Sequence, residues 1–331
     1  MSIGKIMTKR IVVCGATGFI GRNMAVHFSR RGDCDVTGVY HRRPAFECPG
    51  LRWVRADLTR QEEVERVIRG MDVVIQAAAT TSGAKDIVTR PYIHTTDNAV
   101  MNSYLFRLAH EQHVKHVIFF SCAIMYPSSP SALKEEDFDA NEAIHPRYFG
   151  PGWTKLYVEK MCEFYASLGR TRYTAIRHSN IYGPHDKFDL DRSHMFGATI
   201  TKVMTAKEGR IIVWGTGEES RDVLYVGDLV DFVERAIERQ RVPFAIYNCG
   251  YGEAVRVNDL VRRIVEKSGR GLSIEHDLSQ PSIPTSVCLD CSKAEADLGW
   301  RRCTALDEGI EKTLAWWRRN VREDAIQRTK V

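Results

Sequence analysis

The sequence predicts an α/β protein, a doubly wound parallel sheet followed by a smaller α/β lobe toward the C-terminus. Three observations predict it. Short apolar runs alternate with helical patterns through the first half, from "RIVVCG" and "NMAVHFSRRG" to "NAVMNSYLFRLAHEQ" and "HVIFFSC". Strands alternating with helices of about ten to fifteen residues imply βαβ units. "VVIQAAA" and "VIFFS" are nearly continuous apolar runs, as parallel strands covered on both faces require. A glycine triplet follows the first of these strands and opens the first helix.

That triplet lies in "VVCGATGFIG", with Gly15, Gly18 and Gly21 at GxxGxxG spacing and Thr17, Phe19 and Ile20 between them. A tight turn there lets backbone N–H groups and the helix N-terminus approach a pyrophosphate, an approach that bulkier residues block. With its strand, its helix and a second strand ending near residue 40, it predicts a Rossmann-type dinucleotide site. The plainer alternative is a glycine-rich turn. The second strand ends in Tyr40, His41, Arg42 and Arg43, where an NAD-preferring site usually offers an acid. Cations suit a 2′-phosphate, so NADP(H) is the expected cofactor, against a solvated basic turn. After the third strand, Asp57 in "RADLTR" is placed to accept from the adenine amine. Leu58 beside it, and Ala77, Ala78 and Ala79 after the fourth strand, complete the expected cofactor path.

Composition narrows the class. A chain of 331 residues buries a sizeable core as one large unit or two lobes. The net charge of +5 biases it mildly toward anionic ligands and is too small to argue for nucleic acid. No run reaches the roughly 18 apolar residues of a membrane span. "MSIGKIMTKR" has no signal-peptide apolar stretch, and the nine cysteines are scattered singly, so a cytoplasmic setting is expected. Cys288 and Cys291 have CxxC spacing without a second such pair. "SVCLDCSKAEADLGW" reads as a strand entering a helix, and no metal is expected.

From about residue 181 the pattern loosens into charged, glycine-containing loops such as "WGTGEESRD", which suits a ligand-binding lobe. Near the end, Leu306, Ile310, Leu314 and Trp317 share one helix face, with Thr304 placed to cap it. The expected boundaries are 8–180 plus about 225–250 for the dinucleotide domain, 181–224 plus 251–318 for the second lobe, and 319–331 for a polar tail.

Three stretches carry a resemblance: "SNIYGPHDKFDLDRSHMFGA", "IIVWGTGEESRDVLYVGDLV" and "LDCSKAEADLGW". With the glycine loop, they make residues 10–318 resemble the extended short-chain dehydrogenase/reductase family, also described as the NAD-dependent epimerases/dehydratases, and most of all its GDP-L-fucose synthase group. The resemblance implies a homodimer that uses NADP(H) to reduce a GDP-linked 4-keto-6-deoxy sugar, with epimerisation at neighbouring carbons. It matches Lys155 to the motif lysine and His194 to the epimerisation acid. It puts Lys202 and Arg221 near the substrate diphosphate, with Asn180 and Trp214 among the substrate-binding candidates.

Three positions depart from the family pattern. The tyrosine that stands four residues before the motif lysine is Pro151, the motif serine is Cys122, and a cysteine of that segment is Ile124. Reducing a ketone needs a proton for the developing alkoxide, and Pro151 has none to give. Pro151 does suit the first turn of the helix carrying Tyr157, Met161, Phe164 and Leu168. Cys122, if it neighbours the Lys155 ammonium, is expected to have a lowered pKa and to act as acid or base, or else to be a small buried hydrophobe. His194 titrates near neutrality, or else holds a structural hydrogen bond. Tyr148 lies seven residues before Lys155. Gly150, Pro151 and Gly152 are expected to keep that stretch non-helical and let the phenol fold inward. Tyr126 is expected to pack near the site without reacting.

Three functions stay open on the sequence: a keto-sugar reductase/epimerase with a rearranged proton donor, a non-redox isomerase using Cys122 and His194, and a non-catalytic NADP-binding sensor.

Overall fold

The computed structural model describes residues 8–80, 92–190, 193–280 and 285–321. The last ten residues of the expected tail lie outside these. Along the first half run β1 (Lys9–Cys14), α1 (Phe19–Ser29), β2 (Cys34–Tyr40), β3 (Leu51–Arg55), α2 (Gln61–Ile68), β4 (Val73–Gln76), α3 (Ile93–Glu111), β5 (His116–Phe120), α4 (Phe149–Ser167) and β6 (Arg172–His178). The second half adds β7 (Asn180–Tyr182), α5 (Met195–Thr205), β8 (Arg210–Trp214), β9 (Ser220–Arg221), β10 (Val223–Tyr225), α6 (Val226–Arg239), β11 (Phe244–Cys249), β12 (Val255–Arg256), α7 (Val257–Ser268), β13 (Ser273–Asp277), α8 (Ser292–Leu298) and α9 (Leu306–Asn320).

Seven parallel strands form the central sheet in the order β11-β6-β5-β4-β1-β2-β3. This is the expected doubly wound, Rossmann-like fold. Its apolar runs are buried as two-sided strands must be: Val73, Val74 and Ile75, and His116 through Phe120, are all sealed. One face packs against α1, α6 and α8 through Met24, Phe28, Phe232, Val233 and Leu298. The other packs against α2, α3 and α4 through Val64, Leu105, Phe106, Val158 and Cys162. Strand order reverses between β1 and β4, which opens a crevice at their C-terminal ends.

A third core joins α5, β8, α7 and α9, where Ile200, Ile211, Leu260, Ile310 and Leu314 are buried together. Helix α9 buries Leu306, Ile310, Leu314 and Trp317 as the spacing predicts. Thr304 does not cap it. Ala305 holds that position, and the Thr304 amide donates instead to the Asp228 carboxylate at 3.3 Å. The buried Asp228 carboxylate also accepts from the Cys303 amide at 3.0 Å, and the two bonds hold the Cys303–Thr304 backbone one residue short of the cap position.

Helix α4 is fixed by a buried ion pair. Arg177 of β6 donates to Glu159 through Nη2 at 2.8 Å and Nε at 3.1 Å, and both side chains are about 4% or less exposed. Ser121 donates to the same carboxylate at 2.5 Å, while Arg177 Nη1 reaches the Tyr126 hydroxyl at 2.9 Å and the Glu135 carbonyl at 3.0 Å. Removing one partner strands the other charge in the interior. Arg177→Met is therefore expected to cost roughly 3–5 kcal/mol of stability, read as a lower midpoint in urea unfolding. An unchanged midpoint would show that Glu159 finds another cation.

Candidate active site

The crevice between β1 and β4 is shaped by glycines. Gly15 has φ +70°, and a Cβ there would lie 2.7 Å from the Ala78 Cα, so the β1 and β4 loops touch only because that side chain is missing. A Cβ on Gly21 would lie 2.2 Å from the Gly15 carbonyl. Gly18 caps α1, whose first amides, at Phe19 and Ile20, face the opening. Ala77, Ala78 and Ala79 follow β4 on the opposite wall.

Charge at the rim is positive. His41, Arg42 and Arg43 are exposed after β2, and Arg43 donates to the Thr17 carbonyl at 3.0 Å, folding back over the glycine loop. Among the described residues no carboxylate pairs with Arg42 or Arg43. His41 Nε2 stands 3.8 Å from Asp57. Asp57 accepts from the Thr59 hydroxyl at 2.7 Å and amide at 3.0 Å, and the hydroxyl bond first of all holds its carboxyl below the usual range. His41, Asp57, Arg60 and Glu63 line a hollow of about 390 Å³ just before Leu58 and α2. Sequence reasoning missed Arg22. Its guanidinium lies 3.9 Å above the Phe46 ring, its Nε is sealed without a partner, and burial lowers its pKa, with Cys48 opposing the shift and Arg43 adding to it. The signal was a basic residue directly after the third glycine. A backbone cradle with unpaired cations fits a dinucleotide.

Lys155 lies deeper, in the second turn of α4. Its Nζ donates to the Phe120 carbonyl at 2.5 Å and sits 4.7 Å from the Phe119 ring. Burial lowers its pKa, and Cys122 and Glu159 oppose that shift. Cys122 does adjoin Lys155, but its thiol is not acidified. Burial pushes its pKa up, and the Lys155 ammonium offsets only part of this, because desolvating a thiolate costs more than one charge returns here. Ile124, which the resemblance sets against a family cysteine, has its backbone hydrogen-bonded to that thiol.

Tyr148 ends a single 3₁₀ turn, Pro146–Tyr148, and α4 starts at the next residue. Gly150, Pro151 and Gly152 are therefore helical, contrary to expectation. Pro151 falls in the first turn, where the amide it lacks has no intrahelical acceptor. The Tyr148 ring packs with Met125, Ile144 and Leu156, 5.7 Å from the His145 ring, and lies near enough to Arg221 to affect its charge. Tyr126 packs under the site, its hydroxyl donating to Asn248 at 2.9 Å, and burial pushes its pKa to about 12.

His194 caps the N-terminus of α5 by its backbone. The residue is exposed, yet the chain crowded around its ring first, then Lys187, lowers its pKa. Both it and Lys155 act on His178, the last residue of β6, also missed in the sequence because a lone histidine ending an apolar strand reads as core. Burial pushes its pKa down to about 4; the Ser179 carbonyl opposes this, and Lys155 and His194 add to it. The fold thus gathers Lys155, Cys122, His178 and His194 from four separate segments.

In the second lobe, Lys202 donates to the Ile212 carbonyl at 2.8 Å and stands 5.0 Å from the half-exposed Trp214 ring. Arg221 donates to the carbonyls of Ser220, at 2.8 Å, and Thr285. Asn180 is turned to the Asp222 carbonyl at 3.0 Å. Cys291, of the CxxC, sits on the Gly250 amide at 3.2 Å.

The family model described as "NAD dependent epimerase/dehydratase family" matches residues 11–250. A GDP-L-fucose synthase from Sinorhizobium fredii is 28% identical over 96% of this chain and 98% of its own length. A dTDP-4-dehydro-6-deoxy-D-allose reductase from a Streptomyces species is 26% identical over 94% and 96%. Among solved structures, a UDP-glucose 4-epimerase from Thermotoga maritima superposes with a TM-score of 0.83 at 23% identity, covering 95% of this chain and all of that one, and shares the fold.

Gly15→Ala tests the cradle. A Cβ at that φ and distance is expected to weaken dinucleotide binding by about tenfold or more in a fluorescence titration, with the far-UV circular dichroism retained. Undiminished binding would place the cofactor elsewhere.

Proposed function

The chain belongs to the NAD dependent epimerase/dehydratase family, and from that premise we propose that it is an NADP(H)-dependent sugar-nucleotide enzyme, a reductase and epimerase of a GDP-linked 4-keto-6-deoxy sugar. The observation that carries this reading is the half-buried Lys155 ammonium, held on the Phe120 carbonyl and acting with His194 on His178, at the inner end of a dinucleotide crevice. Curated relatives aligning over nearly their whole length are named GDP-L-fucose synthase and GDP-L-colitose synthase, which supports the guanine nucleotide and the keto sugar.

Residues 8–180 with about 225–250 hold the cofactor, and 181–224 with 251–318 hold the sugar nucleotide. The glycine loop and the amides of Phe19 and Ile20 take the pyrophosphate, Arg42 and Arg43 the 2′-phosphate, and Asp57 and Leu58 the adenine end. The bound nicotinamide supplies the hydride. Lys155 stabilises negative charge where an oxyanion forms, an electrostatic role that survives the loss of the motif tyrosine. His194 exchanges a proton with carbon beside the ketone. Lys202 and Arg221 face the substrate diphosphate, with Trp214 and Asn180 among the residues that hold the sugar nucleotide.

A second reading, a non-redox isomerase of the same substrates, is favoured by one feature: Pro151 stands where the reductive proton donor would be, while the histidines needed for carbon acid chemistry are present. The buried cationic cluster argues against a sensor, which has no need to desolvate a lysine.

The enzyme is proposed to work in the cytoplasm as a homodimer. Helix α4 and its C-terminal cap leave Phe149, Tyr157, Phe164 and Leu168 between 46% and 62% exposed along the outer side, and Tyr92 before α3 is exposed as well. An apolar stripe of this kind on a helix that packs against α3 suits a four-helix interface. Among the described residues no helix is long and apolar enough to cross a membrane.

A GDP-4-keto-6-deoxy sugar supplied with NADPH is expected to be reduced, followed by nicotinamide absorbance and the sugar product together. Product isomerised without NADPH loss would select the isomerase, and neither change would refute both. NADPH is expected to bind about tenfold more tightly than NADH, a preference that Arg42→Ser with Arg43→Ser removes. Equal affinities in the unaltered protein would refute the 2′-phosphate assignment. Light scattering is expected to give a dimer, and Tyr157→Glu with Phe164→Glu a monomer of unchanged fold.

A further inference from the structure

We propose that His178 is a catalytic residue, moving a proton to and from the sugar oxygen through Nε2 in place of the phenol that Pro151 replaces. This rests on the keto-sugar reading above. The geometry starts with the other ring nitrogen. His178 Nδ1 lies 2.7 Å from the Ser179 carbonyl. A carbonyl oxygen only accepts, so Nδ1 carries the hydrogen and Nε2 of the neutral ring carries a lone pair. Nε2 has no partner among the described residues, yet it is not one of the sealed unpartnered atoms, and the residue is partly exposed. It therefore opens on solvent, at the end of β6 on the crevice side of the sheet.

Its surroundings fit the role. The ring meets Phe120 edge-on at 6.3 Å, and Phe120 supplies the carbonyl that holds the Lys155 ammonium. The titratable groups acting on it are Lys155 from α4 and His194 from the start of α5. The carboxylate that acts on Lys155, Glu159, is bound to Arg177 and Ser121. Competing donors are worse placed. The Cys122 thiol is held protonated by burial, and the Tyr148 ring lies toward Arg221.

When an alcohol becomes a ketone, the sugar O–H bond breaks, the electron pair stays on oxygen, and an N–H bond forms at Nε2. The carbon-bound hydride leaves to the nicotinamide. In the reductive direction Nε2 first takes a proton from the solvent it opens on, and the imidazolium so formed passes that proton to the oxyanion while the Nδ1–H stays on Ser179. The neighbouring Lys155 charge destabilises the imidazolium, so the proton is readily given back.

Imidazole ¹⁵N NMR of the full chain with NADPH bound tests the first step without any turnover: His178 is expected to show an unprotonated Nε2, and a protonated Nε2 on the neutral ring would overturn the proposal. For the second step, His178→Phe keeps the packing on Phe120 and His178→Gln keeps a donor to Ser179. Both are expected to lower kcat by about 100- to 10,000-fold with NADPH affinity unchanged, and added imidazole is expected to rescue His178→Ala. An active wild-type protein whose His178→Phe and His178→Gln forms turn over equally well would refute the role of His178 alone. A wild-type protein inactive on every 4-keto sugar nucleotide would refute the underlying reading, and this proposal with it.

Discussion

The structure of the site depends on one buried ion pair. Arg177 ends the apolar run of β6, and Glu159 lies one helical turn beyond Lys155 on α4. Neither charge is stable in the interior without the other. Their bond therefore fixes the rotation and height of α4 against the sheet, and with it the point at which the Lys155 ammonium meets the Phe120 carbonyl. Ser121, Tyr126 and Asn248 complete the network and tie in the segments leaving β5 and β11. With its hydrogen bonds satisfied from several elements, the pair has one arrangement available, which a reacting site requires.

Desolvation sets the protonation states around this anchor. Lys155, His178 and His194 are all pushed toward their neutral forms by burial, and Cys122 is kept as the thiol. The cluster thus carries less positive charge than its residue types suggest, and its members are poised to exchange protons with each other and with a ligand. The rim of the crevice differs. Arg42 and Arg43 are solvated and lack carboxylate partners among the described residues.

Replacing the family tyrosine by proline leaves the backbone undisturbed. A proline in the first turn of a helix gives up an amide that had no intrahelical acceptor, and α4 begins before it at Phe149. What changes is chemical: a phenol is lost from the face that looks at Phe120. The proposed replacement, His178, comes from a strand rather than the helix, so its position is set by sheet geometry and the Ser179 bond.

The sequence by itself determined the sheet, the glycine cradle, the cationic end of β2 and the lysine of α4. Each is encoded locally: apolar run length, glycine spacing, strand-to-helix order and a single motif. It also placed the buried face of α9. Tertiary structure alone decided the rest. Cys122 was legible as a neighbour of Lys155, but its protonation depends on how much water the surrounding chain excludes, and no spacing records that. Thr304 had the residue type of a cap, yet Asp228, distant in sequence, took its amide. Arg22 and His178 acquire meaning only when the loop carrying Phe46, strand β5 and helix α5 arrive beside them. A residue's charge and partners are properties of the packed interior, where desolvation and long-range hydrogen bonds outweigh local preference.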